Sequence, residues 1–96
     1  MERVERIRAM ERILRESEEV LERLEAALDA YEAILPSLRE LDAWYGSELW
    51  RKDLAADEAG LIPKDLPRGV LSQDEIWDLL EWEREIRERL SRMAEC

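Results

Sequence analysis

The chain has 96 residues, 46 % of them hydrophobic and 42 % charged, with a net charge of −10. That length supports one hydrophobic core and is too short for two, so a single domain over residues 1–96 is expected. The acidic balance argues against a phosphate-backbone ligand, because nucleic-acid binders cluster Lys and Arg to displace counterions, and it would repel an anionic membrane surface.

The mixture of Ala, Glu, Leu and Arg reads as long helices, and Phe, His, Thr and Asn are missing altogether. All glycines and prolines lie between Pro36 and Gly69, so both ends are uninterrupted. Met1-Glu2-Arg3-Val4-Glu5-Arg6 lacks the apolar core of a signal peptide, and no apolar run is long enough to span a bilayer. A soluble, cytoplasmic protein is the expectation. The sole cysteine, Cys96, has no internal disulfide partner.

The first helix is expected over about residues 2–35. Ile7, Met10, Leu14, Ser17, Leu21, Leu24, Leu28, Tyr31 and Leu35 recur at alternating spacings of three and four, the a/d seam of a heptad repeat. Ile13, Val20, Ala27 and Ile34 add a second apolar row at g, and the combined stripe is wide enough for more than one partner helix. Glu2 with Arg6, Glu11 with Arg15 and Glu19 with Arg23 mark the solvated face, each Glu four residues before its Arg.

Pro36 predicts an end or a kink, since its ring clashes with the carbonyl four residues earlier. Pro is also tolerated in the first turn of a helix, and Leu38, Leu41, Trp44 and Tyr45 keep helical spacing. A short helix over about 36–45 follows, stopped by Gly46, and then another over about 47–57 capped by Ser47. Residues 59–71 read as a surface loop. Leu66-Pro67-Arg68-Gly69 fits a type I turn, with Leu61, Ile62, Leu66 or Val70 pinned inward.

A last helix over about 73–94 carries the strongest local signal. Ser72 and Glu75 form a capping box flanked by Leu71 and Ile76 as a hydrophobic staple. Asp74, Glu75 and Asp78 at its start and Arg89 and Arg92 near its end suit the helix dipole. Its stripe is Ile76, Leu79, Leu80, Ile86, Leu90 and Met93, with Glu83 on the seam.

The expected fold class is therefore all-α: a long antiparallel, coiled-coil-like helical pair with one or two short helices and a Pro/Gly loop between them. The last helix is about ten residues shorter than the first. Folding it back leaves about ten residues at one end of the first helix uncovered, so Val4, Ile7 and Met10 are candidates for an interface outside the chain; a two-fold dimer is the commonest solution, with Ile7, Met10, Leu14, Ser17 and Leu21 closest to its axis.

Met1 to Met10 with Glu11-Arg12-Ile13, Leu41 to Asp53 with its Trp44-Tyr45 pair and Trp50, Pro63, and above all Gly69-Val70-Leu71-Ser72-Gln73-Asp74 leading into Leu79-Leu80 together suggest a known family. They resemble a small bacterial family classed as a domain of unknown function, number four thousand two hundred and ninety-eight in its series. The resemblance covers most of the chain. Its more specific parts are the Tyr45, Trp50, Asp53 spacing and the Gly69 to Asp74 run. Departures fall at Trp44, where the family often has tyrosine, at Gln73, where it has Glu, and at Trp77, where it has Tyr. The resemblance implies a short helical intracellular protein and brings no activity.

Few residues point to chemistry. A carboxylate at Glu83 drawn into an apolar seam would have a raised pKa, and the alternative is that it leans outward or pairs with an Arg or Tyr. Trp44, Trp50, Trp77 and Trp82, with Tyr31 and Tyr45, either line a groove for a partner peptide or plug the core where the helices meet, and a small-ligand reading needs a pocket formed by Glu83 with the four tryptophans. Asp53, Asp57, Glu58 and Asp65 offer oxygen ligands for a hard cation, but they lack EF-hand spacing and serve equally as caps. Without His, zinc and di-iron sites and nucleophile triads lose their usual residues, and no Gly-rich phosphate loop is present. No catalytic residue, cofactor or metal is assigned. The function expected is a non-catalytic module that self-associates through the first helix. Alternatives are an acidic inhibitor or decoy for a basic protein, and a small-ligand binder or enzyme using Glu83 and the tryptophans.

Overall fold

A computed structural model describes residues 2–95, the side chain of residue 73 excepted. Met1 and Cys96 lie outside the described residues, and with them the sole thiol. The described residues form an all-α protein: α1 (Arg3–Trp44), α2 (Glu48–Glu58), a single 3-10 turn at Gly69–Leu71, and α3 (Gln73–Ala94). The chain divides into two units, Met1–Leu38 and Arg39–Cys96.

The first unit is the bulk of α1. Its sequence is dense in Glu, Arg, Leu and Ala, the residues that lose least on entering a helix. The Glu2 carboxylate accepts from the backbone N–H of Val4 at 3.1 Å and of Glu5 at 3.4 Å, covering two of the unpaired donors at the helix start. Arg15 reaches both Glu11 and Glu18 at 3.5 Å, and Arg12 reaches Glu16 at 3.7 Å. Arg23 instead donates to the Glu19 backbone carbonyl at 3.4 Å.

The break expected at Pro36 does not occur. α1 runs through it for 42 residues, on the order of 60 Å. The reason is cooperativity: proline forfeits one backbone hydrogen bond and adds a local clash, whereas a separate ten-residue helix would have to be nucleated afresh. The expected helices over 2–35 and 36–45 are one element.

The second unit is built on punctuation. Gly46, at φ 75°, ends α1 in the left-handed region that costs glycine nothing. Ser47 follows in extended conformation, and its Oγ accepts from Trp50 N–H at 3.2 Å to start α2. Ser47→Ala is expected to remove about 1 kcal/mol of stability from the second unit, read by chemical denaturation, with no change in helix register.

α2 closes at Gly60, φ 74°, where the Leu61 and Gly60 N–H groups reach back to Ala56 and Asp57 carbonyls at 3.0 Å each. The next turn lies three residues earlier than expected: Leu66 N–H donates to the Pro63 carbonyl at 3.2 Å, and 66–69 is not a turn. Ser72 caps α3, accepting from Glu75 N–H at 3.5 Å. The other half of the capping box is absent, because Ser72 N–H is taken by the Gly69 carbonyl at 3.1 Å.

Trp50 and Ile76, 5 % and 3 % exposed, are the buried centre of the second unit among the described residues. No described helix is long and apolar enough to cross a membrane.

Candidate functional site

Three side-chain groupings stand out, and the first is aromatic. Trp50 lies on α2 three residues after its cap, and its indole N–H donates to the Val70 carbonyl at 3.0 Å. This bond joins α2 to the 3-10 turn that leads into α3. Tyr45 packs edge-on against Trp50 with ring centroids 5.4 Å apart and an interplanar angle of 76°. Trp44 Nε1 donates to Asp53 Oδ2 at 3.3 Å. These three aromatics belong to the core reading of the tryptophans, while Trp77 and Trp82 are exposed.

The second is a clamp that sequence reasoning missed. Arg68 pairs through Nε with Asp57 on α2, while its remaining guanidinium nitrogens donate to the carbonyls of Pro63 at 2.7 Å, Lys64 at 3.0 Å, Ile62 at 3.3 Å and Leu66 at 3.4 Å. The fixed fork of donors on a guanidinium suits such a set of converging carbonyls. Of the apolar loop residues expected to turn inward, Ile62 is half-buried, and Leu61, Leu66 and Val70 are exposed. The loop is held by its arginine rather than by its grease. An Arg beside Pro67, with Asp65 and Lys64 as the other charged residues of the loop, was the available signal.

The third is a cleft of about 660 Å³ in the second unit, walled by Leu41, Val70, Ile76, Leu79 and Trp82 and carrying the Glu75 and Asp78 carboxylates. Of the five residues expected to share a pocket, Trp82 lines this cleft and Trp44, Trp50, Trp77 and Glu83 do not. Glu83 is half-buried and accepts from Arg87 Nε at 3.2 Å and Nη2 at 2.9 Å, the paired alternative to a bare carboxylate in the seam. Asp53 and Asp57 are likewise engaged, by Trp44 and Arg68. Among the described residues, no cluster of potential metal ligands was found.

The expected interface residues lie in the first unit. Val4, Ile7, Met10, Leu14, Ser17 and Leu21 are all exposed on α1, Ile7 by 55 % and Leu21 by 62 %. Ile13, Val20 and Leu24 are exposed beside them, while Leu28, Tyr31 and Leu35 are half-buried. No α1 residue is buried.

Fold and groupings together define a small all-α protein with a tryptophan-centred core in one unit and an open apolar stripe in the other. The chain belongs to the family described as "Domain of unknown function (DUF4298)", whose model matches residues 7–93. No curated protein and no solved structure matches it. The family carries no assigned activity.

Proposed function

We propose that this protein is a non-catalytic interaction module of the cytoplasm that self-associates through α1, burying the g/a/d stripe across a two-fold axis. Ile7, Met10, Leu14, Ser17 and Leu21 lie nearest that axis. The observation that carries the reading is the exposure of every large apolar side chain on the stripe from Ile7 to Leu24. Helices of this kind draw most of their stability from packing an apolar face, and this face has none of its residues buried.

The energetics favour association. A Leu or Ile side chain already half covered gains roughly 1 kcal/mol on full burial. Seven such residues on each of two chains yield on the order of 14 kcal/mol, against roughly 4 to 15 kcal/mol lost in overall freedom on pairing.

Light scattering on the purified protein tests it. Wild type is expected at twice the chain mass of 11.4 kDa, and Ile7→Asp with Leu14→Asp at 11.4 kDa. A monomeric wild type overturns the proposal.

A further inference from the structure

We infer that the second copy lies antiparallel on α1, with the two-fold axis passing between Arg15 and Glu16; this rests on the self-association reading above. The first argument is charge. Residues 3–15 carry five arginines and two glutamates, a net +3, and residues 16–28 carry five glutamates and one arginine, a net −4. Reversing one helix about the Arg15–Glu16 midpoint lays residues 3–15 of each copy along 16–28 of the other, so each basic block meets an acidic one. A parallel pair in register stacks like on like along the whole length.

Exposure supplies the second argument and sets the register. The apolar residues of the seam that stand open to solvent run from Ile7 to Leu24, and their midpoint is the same Arg15–Glu16 link. With the axis there, Ile7 stands level with the second copy's Leu24, Met10 with its Leu21, and Leu14 with its Ser17. Each a residue therefore meets a d residue, the layering an antiparallel helical pair requires.

The flanks agree. In this orientation g faces g, so Ile13 meets the second copy's Val20 and one side of the seam closes as an apolar strip. A parallel pair would set g against e, pressing Ile13 and Val20 onto the second copy's Glu18 and Glu25. On the antiparallel pair's other side Glu11 meets Glu18 of the second copy. Arg15, 3.5 Å from both Glu11 and Glu18 within its own chain, stands between these carboxylates at the axis. Arg8 on the same side lies level with the second copy's Glu22 and Arg23. Ser17, the one polar residue of the exposed seam, sits in the layer nearest the axis, where it disfavours sliding to a register that would bury it elsewhere.

Spin-label distance measurement on the full chain decides it. In a Cys96→Ser background, Glu5→Cys and Arg12→Cys are labelled separately; both lie at f, on the outer face of α1. The antiparallel register offsets the two Glu5 labels along the helix axis by about 30 Å and the two Arg12 labels by about 10 Å. The expected result is a long distance at position 5 and a much shorter one at position 12. Equal, short distances at both positions mean a parallel pair and overturn the inference while leaving self-association standing. Distances about 10 Å longer at both move the axis half a heptad and overturn the register. No intermolecular distance at either position defeats self-association itself, and the inference with it.

Discussion

Trp50→Ala is expected to remove about 3 to 5 kcal/mol from the second unit. The indole is one of two side chains buried among the described residues, and its loss empties the space that Tyr45 packs against edge-on. Its N–H also supplies the bond to the Val70 carbonyl, so truncation leaves that acceptor without its donor just where the 3-10 turn enters α3. For a unit of this size the cost corresponds to a drop in Tm of more than about 10 °C. Trp50→Phe is the milder change: it keeps a six-membered ring but loses the donor and the five-membered ring, and is expected to cost about 2 to 3 kcal/mol. Thermal denaturation followed by circular dichroism checks both. An unchanged midpoint for Trp50→Ala would mean that the second unit is held elsewhere.

Arg68→Ala is expected to cost about 2 to 3 kcal/mol and to loosen the loop between α2 and α3. One guanidinium serves four loop carbonyls and the Asp57 carboxylate, so its removal strips the segment from Ile62 to Leu66 of its shared donor. The estimate sits below the sum of five bonds because both partners of the Arg68–Asp57 pair are partly open to water, which screens the pair. Arg68→Lys should recover little of the loss, since an ammonium is a point charge and cannot spread donors over converging carbonyls. The readout is hydrogen exchange: amides of the loop, Leu66 above all, are expected to lose protection in Arg68→Ala while those of the first half of α1 keep theirs. Uniform loss along the chain would contradict a local clamp.

These two predictions concern the second unit, and the self-association proposal concerns the first. That separation is useful experimentally. Ile7→Asp with Leu14→Asp leaves Trp50 and Arg68 untouched, so a loss of dimer without loss of the second unit's unfolding transition is the expected pattern. The family match covers residues of both units and leaves the activity open, so the assignment rests on the chain's own physics.

Much of the molecule is legible from residue order because its determinants are local. The heptad stripe of α1, the stop at Gly46, the Ser47 cap and the Ser72 start of α3 each depend on a few neighbouring residues, and each is where the spacing puts it. The row from Ile7 to Leu24 shares one face by the same periodicity, but its exposure runs well past the ten or so residues expected to be uncovered. Pro36 is a local signal that misleads, because the cost of one proline is judged against the cost of starting another helix, a comparison that a residue-by-residue reading does not make.

What only the tertiary structure decided are the choices between equivalent side chains. Four tryptophans are alike on paper; Trp50 is buried, with Tyr45 edge-on against it and its indole bonded to the 3-10 turn, and Trp77 and Trp82 are exposed. Arg68 is one arginine among many until the loop folds its carbonyls toward it. The apolar cleft gathers Leu41, Val70 and Trp82 from three separate stretches of chain. Short-range spacing sets where helices begin and end, whereas burial and hydrogen-bond partners depend on atoms brought together from distant positions, and no local pattern encodes that meeting.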